Sequence, residues 1–182
     1  MLTIWVVMPT CLPTVVRRCH ACASERFRAN GRFRVNANHK LLDAWVLVLC
    51  ASCGDTAKLT VFERTNVRSV RPDLLDRMHD NDPSLAAELL QDPVVQRRNR
   101  FALDWTGAWR LDTGGTDHLD REVIDVSVGF AARIPVRPVR LIADGCGLPR
   151  AEVERLVAQE RLISAVRLSG KVSSHFSFML KR

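Results

Sequence analysis

The chain has 182 residues, 47% of them apolar and 26% charged, which is ordinary globular composition, excludes a disordered chain, and can bury one substantial core or two small ones. The apolar stretch Leu2 to Met8 is too short to span a bilayer and lacks the basic lead and small-residue cleavage site of a secretory signal, so a soluble cytoplasmic protein with no membrane partner is expected. The net charge of +7 is unevenly placed: +6 over residues 1 to 70, −5 over 71 to 125 and +6 over 126 to 182, a pattern of basic ends that suits polyanions, although arginine outnumbers lysine 23 to 4 throughout.

The first chemical signal in chain order is Cys19-His20-Ala21-Cys22, matched after 27 intervening residues by Cys50-Ala51-Ser52-Cys53-Gly54. Two residues between paired cysteines let a tight turn aim both sulfurs at one ion. Two such turns supply the four ligands of a closed tetrahedral site, and a site with every position filled holds a fold and does no chemistry. Cys19, Cys22, Cys50 and Cys53 are therefore the expected ligands of one structural zinc ion. A disulfide or a redox motif explains one knuckle better than it explains two. Cys11 and Cys146 read as ordinary thiols, and His20 as a solvent-facing loop residue.

Between the knuckles, Asn30-Gly31 signals a turn, followed by an alternating strand Arg32 to Val35 and an apolar strand Leu41 to Leu49. Leu59 to Phe62 reads as a third strand, closing a small antiparallel sheet with the metal at one end. Asn36, Asn38 and Asp43 interrupt this apolar region, and are expected to be partly buried and bonded to backbone near the knuckles.

The middle reads as helical. Pro72 to Met78 carries Leu74, Leu75 and Met78, and Asp82-Pro83 is an N-cap with proline at the first helical position, ahead of an apolar face of Leu85, Ala86, Leu89 and Leu90. Trp105 and Trp109 bracket Thr106-Gly107 as core or hairpin residues. Asp112 to Asp120 is a surface loop; Asp117, His118 and Asp120 in it imitate an acid/base cluster, but a polar loop is the plainer account.

From Glu122 the sequence alternates as a half-buried strand through Ile124, Val126, Val128 and Phe130. Pro138 opens a helix with Val139, Ile142, Ala143 and Cys146 inward, stopped by Gly147, and Pro149 opens another with Val153, Leu156 and Val157 inward. The tail returns to strand with Phe176, Phe178 and Leu180. The expected fold class is α+β: a zinc ribbon over residues 1–70, an acidic helical and loop region over 71–121, and a two-helix-plus-strands module over 122–182.

The run Phe33-Arg34-Val35-Asn36-Ala37-Asn38-His39-Lys40-Leu41-Leu42-Asp43-Ala44-Trp45, leading into the second knuckle, resembles the bacterial family catalogued as domain of unknown function 1062. That family implies a zinc-ribbon-like start and names no reaction. A second run, Gly147-Leu148-Pro149-Arg150 through Gln159-Glu160-Arg161-Leu162, resembles the helix-turn-helix core of the RNA-binding domain first described in ribosomal protein S-four. It departs from that pattern with proline for serine, with Glu160 for a glycine, and with the strand and Gly-Lys turn appearing only later, at Ser169-Gly170-Lys171. The resemblance implies phosphate contacts by Arg150, Arg155, Arg161 and Lys171, flanked by Arg137 and Arg140; read without it, these are cations on a solvated helical face.

The function expected from these features is a non-enzymatic, zinc-containing RNA-binding protein, with structured RNA or the ribosome as partner and the phosphate backbone as the feature read. With 7 Phe, 4 Trp and no Tyr, binding by stacked bases has less support. The alternative is a zinc ribbon acting as a protein-interaction or DNA-associated regulatory module. No small-molecule substrate is evident, and His39, His79, His118 and His175 are scattered, with no serine or cysteine in a recognised nucleophile motif.

Overall fold

The apolar amino-terminal run folds as strand β1 (Leu2–Pro9), which buries Trp5 and Val7 and leaves Leu2 and Ile4 exposed. The structure, a computed structural model, describes residues 2–115 and 122–181. It divides the chain into two units, one formed by Met1–Cys11 with Gly107–Arg182 and the other by Leu12–Thr106. The class is α+β, as expected, and among the described residues no helix is long and apolar enough to cross a membrane. These boundaries differ from the three spans read from sequence. The first strand leaves the cysteine region to join the carboxy-terminal unit, and the helical middle packs with the cysteines. Both differences arise from long-range pairing, which local patterns do not encode.

The Leu12–Thr106 unit holds five strands where three were expected: β2 (Thr14–Val16), β3 (Arg26–Asn38), β4 (Leu41–Cys50), β5 (Thr56–Asn66) and β6 (Ala102–Asp104). They form an antiparallel sheet in the order β5-β4-β3-β2-β6. Asn30-Gly31 does not reverse the chain. It lies inside β3, where Ala29 pairs with Val48 but Phe33 with Val46, so two extra residues bulge out and the inward parity of Phe27, Ala29 and Phe33 survives. Gly31, at φ 74, takes the left-handed conformation the bulge requires, and Asn30 Oδ1 accepts the Arg32 N–H at 3.1 Å. The chain reverses instead at His39-Lys40, between the paired Asn38 and Leu41, with His39 at φ 54.

Three short helices follow: α1 (Pro72–His79), α2 (Pro83–Gln91) and α3 (Pro93–Asn99), each with proline in its first turn. Asp82 and Asp92 cap α2 and α3 by accepting the N–H groups of Ser84 and Val94 at 2.8 and 2.7 Å. Leu90 and Val95 pack with Phe27, Val46, Val48 and Leu59 of the sheet, which places α2 and α3 over one face. The odd-numbered residues of β4 point to the other.

The second unit adds β7 (Trp109–Asp112), β8 (Val123–Phe130), helices α4 (Pro138–Cys146) and α5 (Arg150–Ala158), and strands β9 (Leu162–Ser164) and β10 (Phe176–Lys181). Its sheet runs β7-β1-β8-β10-β9, with β1 and β8 parallel and the other pairs antiparallel. Trp5 meets Phe178 edge-on at 5.3 Å between ring centroids, and Leu141, Ile142, Val153 and Leu156 from the helices are buried. Gly147 ends α4 at φ 65, as its sequence position predicts. One expectation needs correcting here: a strand, β9, follows α5 at once and is not deferred to Ser169-Gly170-Lys171. The Asp117, His118 and Asp120 loop lies outside the described residues.

Candidate metal centre

The four cysteines reach one point from two turns at the same end of the sheet. Cys19 and Cys22 lie in the connection from β2 to β3, and Cys50 and Cys53 at the turn from β4 to β5. Backbone bonds fix both turns: Cys19 N donates to Ser24 O at 2.7 Å, Cys50 N to Asp55 O at 2.8 Å, and Gly54 N to Cys50 O at 3.0 Å. Gly54 has φ 74, a conformation that the tight second turn requires. Ala51 N donates to Arg26 O at 2.8 Å, tying the second turn to the start of β3.

All four Sγ atoms lie within 4.8 Å of one another. Cys19 Sγ is 3.8 Å from Cys53 Sγ, and Cys22 Sγ is 3.5 Å from Cys50 Sγ. Those separations are far too long for disulfides, whose sulfurs stand about 2.05 Å apart. They suit four sulfurs at about 2.3 Å from a shared ion, for which tetrahedral geometry puts the edges at about 3.8 Å. The residues therefore fit a closed four-thiolate metal site. Cys19 and Cys50 are buried and Cys22 and Cys53 exposed, so the cluster is rooted in the core and open to solvent on one side.

The surroundings favour thiolate at one sulfur and oppose it at another. The backbone N–H of Cys53, with that of Ser52, lowers the Cys50 thiol from 9.0 to about 6. At Cys53 the N–H of Asp55 also favours the thiolate, but the adjacent sulfur of Cys22, burial, and the sulfurs of Cys50 and Cys19 outweigh it and push that thiol up to about 12. Crowded sulfurs cannot all ionise against one another, and a cation at their centre reverses this repulsion.

The six basic residues named for phosphate contact all belong to the second unit. Arg137, Arg140, Arg150, Arg155 and Lys171 are exposed, and Arg161 is half-buried. Several already have partners: Arg150 Nε donates to Glu154 at 2.9 Å, Arg155 to Glu152 at 2.6 Å, Arg140 pairs with Asp144 at 3.7 Å, and Arg161 Nε donates to Lys181 O at 3.2 Å. Sequence reading treated these arginines as free cations and missed the carboxylates at i±3 and i±4 that pair with them, a signal present in the helical spacing itself.

Asn36 and Asn38 depart from expectation, whereas Asp43 meets it in burial and in a backbone bond, though far from the knuckles. Asn36 and Asn38 are exposed near the hairpin tip, at the end of β3 away from the cysteines. Asp43 alone is half-buried and bonded, accepting the N–H of Arg64 at 2.7 Å where β5 bulges with Arg64 at φ 48. His175 Nε2 lies 2.9 Å from Ser127 Oγ, an exposed pair that the sequence did not suggest.

A family model described as protein of unknown function (DUF1062) matches residues 35–168, which include Cys50 and Cys53 but not the first cysteine pair. No match was found among curated proteins or among solved structures. Since the matched span takes in about three quarters of the sequence, from β3 through the strand after α5, the chain belongs to the DUF1062 family.

Proposed function

We propose that the protein is a non-enzymatic RNA-binding protein whose Cys19, Cys22, Cys50 and Cys53 hold one structural zinc ion, and whose carboxy-terminal helices meet the phosphate backbone. The zinc reading rests on sulfur-only ligands in a closed tetrahedral arrangement, the donor set that zinc takes in structural sites.

The observation that supports the RNA reading is the order α4, Gly147, α5, β9, the order of elements that the resemblance to the S-four-type domain implies. Glu160, with φ 56, takes the left-handed backbone at the position where that pattern has glycine. Arg137 and Lys171 are exposed without a carboxylate partner among the described residues. The ion pairs on α4 and α5 are no barrier. Exposed pairs contribute about 0 to 1 kcal/mol, so phosphate can replace a side-chain carboxylate at small cost.

The test is salt-titrated binding to structured RNA. Four neutralised phosphates give a slope of log affinity against log salt of about −3 on single-stranded and about −3.6 on duplex segments. Arg150→Glu should weaken binding more than Arg150→Ala, because reversal adds repulsion at a helix start that favours anions. Arg97→Glu on α3 is the control, since Arg77 is held by Asp82 and Glu88 and its reversal would disturb the fold. Equal effects of the Arg150 and Arg97 reversals, or no binding at low salt, would replace this reading with that of a protein-docking module.

A further inference from the structure

The sheet of the Leu12–Thr106 unit has one face under α2 and α3 and one face that those helices do not cover. On the second face, cross-strand register gathers a specific set of side chains. Arg34 of β3 stands opposite Trp45 of β4, which stands opposite Thr60 of β5; Arg28 stands opposite Leu49; and Lys58 stands opposite Leu47. Directly opposed residues in an antiparallel pair project to the same side, so these form one surface. Trp45, Leu47 and Leu49 are half-buried and lie outside the two hydrophobic clusters that fill this unit's core. Arg28, Arg34 and Lys58 are exposed.

Cations outnumber carboxylates on this surface. Asp104 pairs with Arg26 at 3.1 Å, and the Asp43 carboxylate accepts the Arg64 N–H at 2.7 Å. Arg28, Arg34 and Lys58 form no carboxylate ion pair among the described residues; Arg28 donates to Ala51 O and Arg34 to Asn36 Oδ1, both at a long 3.5 Å. Lys58 Nζ sits 5.2 Å from the Trp45 ring centroid. A sheet that places an indole and two leucines in a row flanked by three cations outside any carboxylate ion pair matches a chain that offers flat apolar rings on one side and negative charge on the other. Single-stranded nucleic acid has that chemistry: its bases stack on aromatic rings while its phosphates follow a basic track. A duplex hides its bases, and an acidic peptide presents a ring only where it has an aromatic side chain, whereas every nucleotide carries a ring beside its phosphate.

We infer that the face of the β3–β4–β5 sheet opposite α2 and α3 binds single-stranded RNA, with a base stacked on Trp45 and phosphates held by Arg28, Arg34 and Lys58. The choice of RNA over DNA rests on the RNA-binding reading proposed above, whereas the location is independent of the carboxy-terminal helices. Arg28 and Arg34 flank the indole row from positions about 14 Å apart, as set by the four residues of β4 from Trp45 to Leu49. Lys58 can leave the ring for a phosphate because its ammonium rides on a flexible four-carbon stem.

The experiment measures fluorescence-anisotropy affinity of the full chain for an unstructured RNA oligonucleotide at low salt, together with quenching of tryptophan emission. Variants are Trp45→Leu, which keeps an apolar residue in the strand, Trp45→Phe, Arg34→Ser and Arg150→Glu, each checked for folding by circular dichroism. Expected are a loss of at least about fivefold for Trp45→Leu with most affinity retained by Trp45→Phe, a weaker salt dependence for Arg34→Ser, and quenching that disappears in Trp45→Phe. Binding that responds to Arg150→Glu but not to any sheet variant would overturn this inference and leave the carboxy-terminal reading standing. Equal or tighter binding of single-stranded DNA would overturn the assignment to RNA. No binding of any nucleic acid would overturn both readings, with a protein partner then the occupant to seek.

Discussion

Asn99 serves Thr60 as a neighbouring strand would. Its Oδ1 accepts the Thr60 N–H at 2.7 Å, and its Nδ2 donates to Thr60 O at 2.9 Å and to Val95 O at 2.8 Å. Thr60 lies on β5, an edge strand of the sheet, where unpaired backbone groups would otherwise template association. Arg98 extends the closure by donating to Val61 O at 2.7 Å. Asn99→Ala should cost about 1 to 3 kcal/mol, because each of the two bonds lost to Thr60 contributes about 0.5 to 1.5 kcal/mol and leaves a backbone group unmatched. Asn99→Asp should do no better, since a carboxylate keeps the acceptor and faces two carbonyls without a donor. Urea unfolding checks this, with a lowered midpoint at unchanged slope; a change within 0.5 kcal/mol would show that water replaces the amide.

In the other unit, Gly145 of α4 gives room to the indole of Trp5. A β-carbon there would overlap the ring and stand 3.0 Å from Leu111 Cδ2. On an open helix Gly→Ala would stabilise by about 1 kcal/mol. Here overpacking, at about 1 to 3 kcal/mol, should win, so Gly145→Ala is expected to destabilise. Adding Trp5→Phe should relieve part of that cost, giving a double mutant more stable than the sum of the two singles predicts. Additive effects in thermal unfolding would mean that α4 shifts to accept the methyl group.

How much of this was legible in sequence depends on how local the cause is. The strands of residues 41–49 and 122–130, the Asp82-Pro83 cap and the Gly147 stop are set by neighbours within one or two turns, and they stand where their patterns put them. The four cysteines were legible for a similar reason, since each knuckle is a local turn. The role of Leu2 to Met8 was not, because its partners β7 and β8 lie more than a hundred residues away. Asn30-Gly31 misled because the left-handed backbone of a two-residue turn also serves a bulge. Helix α3 escaped notice although Asp92-Pro93 repeats the Asp82-Pro83 signal; at seven residues it is too short to show a period.

Acid should loosen the α1–α2 pair through Asp82. This carboxylate caps α2 and also accepts Arg77 Nε at 2.6 Å, while Arg77 reaches Glu88 at 2.8 Å. Hydrogen bonding from Arg77, then from the Ser84 N–H, holds Asp82 below its ordinary 3.8. A depressed carboxylate contributes stability that is fully present above the unfolded value and lost as pH falls through the folded one. The contribution should therefore be complete at neutral pH, begin to fall near pH 4 and be lost only once the pH passes below the depressed folded value. Asp82→Ala should remove both cap and pair, whereas Asp82→Asn keeps the cap and loses the charge, so the Ala variant should be the less stable at pH 7. On acidification Asp82→Asn should converge with wild type, since a protonated carboxyl still accepts the Ser84 N–H as the amide does, whereas Asp82→Ala should keep the smaller deficit of the lost cap. A stability difference that does not shrink between pH 5 and pH 2.5 would assign the effect to packing.

The metal centre yields the sharpest outcome. Purified, reduced protein should contain about one zinc per chain, and Cys50→Ser should unfold the Leu12–Thr106 unit, because binding at a four-thiolate site is folding free energy, on the order of 10 kcal/mol. Helices α1–α3 belong to that unit and should melt with it, whereas α4 and α5 pack in the other unit and should keep their amide protection. Cys11→Ser, at an exposed thiol outside the cluster, should change neither metal content nor fold. Because ligation requires deprotonated sulfur, zinc should be released as pH falls, and chelation at neutral pH should reproduce the Cys50→Ser pattern of hydrogen exchange. Metal analysis finding no zinc, with four free thiols and protection intact across residues 12–106, would remove zinc from the account and leave the thiol cluster as packing alone.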